Sequence, residues 1–259
     1  MNTLSNDDLF NFLTGREKDS FQKRNILIEH ERLDGSTYIM HHGVKDSLIK
    51  LQKMFLLEQI QMEIASGYRS FEQQELIWNE KVEGKRTLLD ADEVTKLDVN
   101  KLSEEIILEK ILLFSSIPGV SRHHWGTDFD FFDLTYYKLN SKKLLLVNSE
   151  YTKEGPNSHL IEKFIKWEQN DTHSFYRPYV NQQIRQYQQN QNAITSDFTK
   201  NSFVLREEWH ISDKNLSSKF QEKYTFEIFC KNLKNSHFHL KNIIMKRPEY
   251  FFQNIFLVS

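Results

Sequence analysis

Ten residues, Ser121-Arg122-His123-His124-Trp125-Gly126-Thr127-Asp128-Phe129-Asp130, constrain this chain more than any other stretch. They gather two imidazoles and two carboxylates around one glycine. In a plain strand, residues seven apart such as His123 and Asp130 point to opposite faces. A fold that brings them together must turn or bulge at Gly126. The imidazole then comes from a loop and the carboxylate from the strand that follows. Spacing alone leaves the choice open: His124 competes with His123, and Asp128 and Asp133 compete with Asp130. Taken alone, the stretch also reads as a polar, solvated loop leading into a strand.

A second cluster, Glu207-Glu208-Trp209-His210, follows about eighty residues later. Two His and one Asp are a ligand set that zinc accepts, with a fourth position open for water. A glutamate three residues before the last His is placed to act as a base. That offset of three puts Glu207 and His210 on one face of a helix. In a regular strand the two diverge, so catalysis requires an irregular approach to the strand. Ser66-Gly67-Tyr68-Arg69-Ser70 sits between a strand and a helix, where an arginine can hold a carboxylate or a developing oxyanion through paired N–H donors. Together these pieces suggest a zinc hydrolase. His41-His42, His237, His239 and Cys230 read as structural. The chain has no Gly-x-Ser-x-Gly elbow, phosphate loop or His-Glu-x-x-His helix.

With 259 residues, 39 % of them hydrophobic, the chain is long and apolar enough to bury a sizeable core. A net charge of −2 lacks the electrostatic footprint of a nucleic-acid binder. One cysteine allows no intrachain disulfide, which fits a reducing compartment. The first residues show no basic start before an apolar run, and no stretch reaches the ~20 apolar residues of a membrane span. The expected location is the cytoplasm.

Val44, Leu48, Leu51 and Phe55 space as a helix, and Ile60, Met62 and Ile64 alternate as a strand. Ser70 with Gln73 resembles a capping box opening a helix to about Trp78. Residues 80–98 read as an exposed excursion. Ser103 caps a helix carrying Ile107, Ile111 and Phe114, which Pro118-Gly119 ends. Residues 127–134 and Leu144–Val147 read as strands, and Leu160, Phe164 and Trp167 as a helix. The Gln- and Asn-rich stretch 179–199 reads as a flap. Phe203-Val204-Leu205 leads as a strand into the second cluster, and one helix around Phe220, Phe229 and Leu233 follows. With no repeat and no linker, residues 1–259 read as one α+β domain.

The three motifs, in this order, resemble the D-alanyl-D-alanine carboxypeptidase family of zinc peptidases, which shares its fold with the Hedgehog signalling domain. The pattern Ser-x-His-x-x-Gly-x-Ala-x-Asp matches Ser121, His123, Gly126 and Asp130, with Asp128 at the usual Ala. Glu-x-Trp-His matches Glu207, Trp209 and His210, with Glu208 at the usual Pro. Ser-Gly-Tyr-Arg-Ser-x-x-x-Gln matches Ser66 to Ser70 and Gln74. The resemblance implies a central, mostly antiparallel sheet flanked by helices. The motif-bearing core spans about 40–212, with a helical extension at 213–259. It implies one zinc on His123, Asp130 and His210, Glu207 as general base, and Arg69 polarising the scissile carbonyl. Substrate contacts fall to Ser121, Arg69, Gln74 and Trp209. The implied activity is removal of a terminal D-amino acid from peptidoglycan-derived peptides. An L,D-carboxypeptidase trimming tetrapeptide to tripeptide in wall recycling is the first expectation. A D,D-carboxypeptidase or dipeptidase, and a non-catalytic zinc-bearing binding module, are the alternatives.

Overall fold

In the computed structural model, which describes residues 4–180 and 206–256, Ser5 opens the first helix, α1 (Asn6–Leu13), by accepting a hydrogen bond from the Asp8 N–H. The short α2 (Lys18–Lys23) leads to the hairpin β1 (Leu27–Glu31) and β2 (Thr37–His41). Helix α3 (Lys45–Leu57) buries Leu48, Leu51 and Phe55, the residues its periodicity singled out. Strand β3 (Met62–Ser66) stops at the Ser66-Gly67 break, and α4 (Phe71–Val82) begins with both halves of the capping box. It runs one turn beyond Trp78. The segment 80–98 is less exposed than expected: it contains the small hairpin β4 (Leu88–Leu89) and β5 (Lys96–Leu97), and Leu88 is buried in the core.

Ser103 caps α5 (Glu104–Leu112), which buries Ile107 and Ile111. The helix ends well before Pro118, and Phe114 lies past its end. Strand β6 (Asp128–Asp133) follows, then α6 (Leu134–Asn140) and α7 (Ser158–Gln169). The apolar run Leu144–Val147 is not a strand. Leu146 takes a positive φ of 56°, and the N–H groups of Leu145 and Leu146 donate to the Glu150 carboxylate. The Glu150 carboxylate takes the N–H groups that a ladder would use, and the left-handed Leu146 breaks the extended run. After β7 (Phe175–Tyr176) and β8 (His210–Asp213) come α8 (Lys214–Lys223), α9 (Phe226–Lys234), α10 (Lys241–Met245) and α11 (Pro248–Phe251). The single helix expected around Phe220 to Leu233 is two helices, because Thr225 caps a new one. Most of the 179–199 flap and the Phe203–Leu205 strand lie outside the described residues.

The central sheet is antiparallel throughout, in the order β3-β6-β8-β7. Phe129, Phe131, Ile64 and Ile211 pack with residues of α3 and α7 into one apolar cluster. Trp78, Trp125 and Leu108 pack with Phe220, Phe229 and Leu233 of the C-terminal helices into another. Each fully buried large side chain contributes roughly 1.5–3 kcal/mol. These clusters therefore hold a scaffold that can tolerate buried charges between them. The register places those charges: Asp130, on the central strand, pairs with Ser66 on one side and His210 on the other. Among the described residues no helix is long and apolar enough to cross a membrane.

Candidate active site

Gly126 is the turning point that brings the imidazole to the strand. It sits at φ +67° after the 3₁₀ turn Arg122–Trp125, and a Cβ there would meet the His41 backbone nitrogen at 2.6 Å. Handedness and space both require glycine. The turn carries His123 to the start of β6. Its Nδ1 lies 2.9 Å from the Gly67 carbonyl, to which it donates, leaving Nε2 facing Asp130 Oδ2 at 3.5 Å. From β8, His210 places Nδ1 3.3 Å from Asp130 Oδ1. One ligand atom from each of His123, Asp130 and His210 lies within 4.8 Å of the others, and all three residues are buried.

His210 Nδ1 and Asp130 Oδ1 are buried without a hydrogen-bond partner among the described residues. A buried polar atom left unsatisfied costs about 1–3 kcal/mol. A cation between the two atoms satisfies both. Two nitrogens and one carboxylate oxygen are the donor set of a zinc site with a fourth position open, so these residues fit one zinc.

The other candidates face elsewhere. His124 is fully buried, with Nδ1 donating to the Arg69 carbonyl at 2.6 Å and Nε2 accepting from the Gly119 N–H at 3.1 Å. Burial pushes its pKa down to about 3, so it is a neutral structural bridge. Asp133 caps α6. Asp128 turns to the back of His210, 3.1 Å from Nε2.

Glu207 lies in the turn before β8, where the His210 N–H meets its carbonyl at 3.4 Å. This is the irregular approach that the three-residue offset demands. Its carboxylate sits 3.6 Å from His210 Nδ1. Burial pushes the Glu207 pKa up to about 7, with Asp130 adding to the rise and His210, Arg69 and Lys81 opposing it. Glu208, at the position of the usual Pro, pairs with Arg177 and Arg206, and Arg177 also forks onto Glu168 at 2.9 and 3.0 Å. That network fastens the turn bearing Glu207.

Opposite the ligands stands Arg69. Its Nη1 donates to Gln74 Oε1 at 2.9 Å, and its Nη2 donates to Ser66 Oγ at 3.1 Å and lies 4.0 Å from Asp130. Gln74 is fully buried, and its Nε2 donates to the Ser116 carbonyl. Both ends of its amide are bonded, so Gln74 holds Arg69, and it is not among the residues that line the cleft. Ser121 and Trp209 line the cleft, which encloses about 320 Å³.

The cleft is also lined by residues to which the sequence assigned no role, among them Lys81, Arg86, Ser115 and Tyr179. Lys81 donates to Ser115 Oγ at 2.7 Å, and burial, with Arg86 and Arg69 nearby, pushes its pKa down to about 8. Its signal was slight: it lies one helical turn after Ile77, which also lines the cleft. The Tyr179 ring stands edge-on to His210 at 4.9 Å. A second hollow of about 460 Å³, sharing Arg69, Ile77 and Arg86, lies beside the β1–β2 hairpin.

Residues 37–213 match the family model described as VanY, D-alanyl-D-alanine carboxypeptidase. Similar solved structures include VanYB in complex with D-alanine-D-alanine, with 14 % identity, 81 % of this chain and 90 % of that chain covered, and a TM-score of 0.45. The LD-carboxypeptidase LdcB shows 19 % identity, 71 % and 64 % coverage, and a TM-score of 0.40. DacB from Streptococcus pneumoniae D39 shows 17 % identity, 74 % and 77 % coverage, and a TM-score of 0.38. No curated protein sequence matches the chain.

Proposed function

We propose, from the premise that this chain belongs to the VanY family of D-alanyl-D-alanine carboxypeptidases, that it is a zinc carboxypeptidase removing one terminal D-amino acid from peptidoglycan-derived peptides. The observation that carries this reading is the buried trio His123, Asp130 and His210, with two unsatisfied polar atoms, beside Glu207. A binding module needs a metal but no base next to it, so Glu207 favours the enzyme.

His123 through Nε2, Asp130, and His210 through Nδ1 would hold the ion, which would supply a Lewis acid to acidify water and polarise the scissile carbonyl. Glu207, raised to about 7, is poised to take a proton from the attacking water and return it to the leaving amine. The Arg69 fork, fixed by Ser66 and Gln74, donates to the carbonyl oxygen as it gains negative charge. Ser121 and Trp209 line the end of the cleft that receives the terminal residue.

The finer reading is an L,D-carboxypeptidase that trims tetrapeptide to tripeptide. Its support is the charge of the wall facing the ligands. Arg69 and Lys81 bring more cations than one terminal carboxylate requires, and Arg86, itself paired with Glu80, stands beside them. A tetrapeptide whose terminal D-Ala follows a diamino diacid carries a second carboxylate at the end of the side chain that precedes the scissile bond. A pentapeptide ending in D-Ala-D-Ala has a methyl group there. Recycling of wall fragments in the cytoplasm is the setting that supplies soluble tetrapeptides.

The test is to incubate the zinc-loaded protein with defined tri-, tetra- and pentapeptide fragments and weigh the products. Loss of one D-Ala from tetrapeptide, faster with the diamino diacid than with lysine at the third position, is expected. Cleavage confined to pentapeptides overturns the L,D reading in favour of a D,D enzyme. Binding without cleavage overturns the enzyme. In cells, deletion of the gene should make cytoplasmic tetrapeptide fragments accumulate.

A further inference from the structure

We infer that Asp128, braced by Arg122, positions His210 for the metal: the pair fixes the imidazole proton on Nε2 and turns Nδ1 toward Asp130. The inference rests on the metal reading of the site, but not on the peptide that is cleaved.

An imidazole offers two nitrogens, and a ligand must present the correct one bare. Asp128 Oδ1 lies 3.1 Å from His210 Nε2. An ionised carboxylate only accepts, so Nε2 keeps a hydrogen toward Asp128, and Nδ1 is the nitrogen left to offer its lone pair to a cation in place of a proton. Nδ1 is the buried atom without a partner, 3.3 Å from Asp130. Asp128 cannot swing away. Its Oδ1 also accepts from Arg122 Nε at 2.8 Å, and its Oδ2 accepts from Thr127 Oγ1 at 2.8 Å.

Arg122 is fixed in turn. Nη1 donates to Gln221 Oε1 at 2.9 Å, and Nη2 donates to Ser212 Oγ at 2.7 Å and to the Tyr176 hydroxyl at 3.1 Å. Its guanidinium carbon stands 5.1 Å from the centre of the Trp125 ring. Arg122 and Asp128 are 2 % and 0 % exposed. One arginine thus ties the 3₁₀ turn, β6, β7, β8 and α8 to the back of a single ligand.

A buried ion pair is by itself weak support for a fold, because desolvating both charges offsets their attraction. Its position against His210 gives it a second use. A carboxylate behind a ligating imidazole fixes the tautomer and strengthens the nitrogen as a donor. The two imidazoles of the site are therefore held differently. His123 leans on the backbone carbonyl of Gly67, whereas His210 leans on a full negative charge. Asp128 stands where the resembled pattern has Ala, a side chain that accepts no hydrogen bond, so that pattern by itself does not supply this brace.

The test measures zinc affinity by competition with a chromophoric chelator, and the visible spectrum of the cobalt-substituted protein, at a temperature where the metal-free forms are folded by circular dichroism. Asp128→Asn should weaken zinc binding by roughly 10- to 100-fold and alter the cobalt spectrum. A double variant, Arg122→Met with Asp128→Ala, removes both charges without stranding one, and should show the same loss. It also serves if Asp128→Asn does not fold. A purely structural pair would lower the melting temperature and leave affinity and spectrum unchanged. Zinc affinity within two-fold of the parent in a folded variant overturns the inference. Failure of the parent protein to bind zinc overturns the metal reading first, and this inference with it.

Discussion

The two walls of the cleft are held by different means. The metal wall hangs on the sheet: register puts Asp130 opposite His210, and the turn at Gly126 adds His123. The facing wall hangs on α4 and its flanking turns: Gln74 and Ser66 hold Arg69, and Ser115 holds Lys81. Two adjacent residues divide between them. His123 faces Asp130 and His210, while His124 pins the Arg69 carbonyl to the Gly119 turn. Backbone register fixes positions to fractions of an ångström, as a metal requires. Side-chain hydrogen bonds let the facing wall change by substitution without disturbing the sheet. Loss of the first wall should therefore be all-or-none, and loss of the second graded.

The largest expected effect is on the metal wall. His210→Ala leaves two protein ligands and should lose most bound zinc and all turnover. Glu207→Ala should keep its zinc while turnover falls by roughly 10²- to 10⁴-fold, the range of a lost general base. Metal analysis beside peptide assays separates them; zinc loss in Glu207→Ala would mean base and ligand have been confused.

Arg69→Lys retains the charge and loses the planar fork. A drop in kcat of roughly 10²-fold is expected, on the scale of one lost oxyanion donor, with zinc content unchanged. Unchanged kcat would remove Arg69 from the chemistry and leave the facing wall a binding surface only.

Lys81→Met sharpens the comparison further. A charge-assisted hydrogen bond contributes about 1.5–3 kcal/mol, so KM for a diacid-containing tetrapeptide should rise by roughly 10-fold or more while kcat holds. An equal effect on a lysine-containing peptide would show that Lys81 does not read the second carboxylate.

The last expected effect is on stability rather than turnover, and concerns the histidine that joins the walls. Burial pushes His124 down to about 3 and His41 to about 4, against an ordinary 6.5. Between those values the unfolded chain binds the protons and the folded chain does not. Stability is therefore complete above about 6.5 and is lost as pH falls toward 4, by up to ~1.4 kcal/mol per pH unit for each group. Urea unfolding of the metal-free protein between pH 7 and pH 5 measures the slope. A flat profile would mean both imidazoles protonate without unfolding.

Local signals were legible in the sequence. Ser70 with Gln73, Ser103, and the spacing of Leu48, Leu51 and Phe55 each describe contacts within a few residues, and each forms as read. Gly126 was legible too, because seven residues cannot join His123 to Asp130 without it. What failed depends on partners distant in sequence. Leu144–Val147 has strand composition, but Glu150 takes the N–H groups that a ladder would use. Gln74 sits in a motif, yet its role follows from Ser116, forty-two residues away. Lys81 looks like an ordinary helix lysine until the fold sets it opposite the metal ligands. Arg122 lies inside the most conspicuous motif, but its use depends on Tyr176, Ser212 and Gln221.

One zinc is proposed to sit between His123 Nε2, Asp130 and His210 Nδ1. Anomalous X-ray diffraction at the zinc edge, from crystals of the zinc-loaded protein, tests it most directly. The expected result is a single peak about 2.0–2.2 Å from those three atoms, on the side of the cleft facing Glu207 and Arg69. A peak bonded to His124 or Asp128 instead, or no peak in protein that binds zinc in solution, would contradict it.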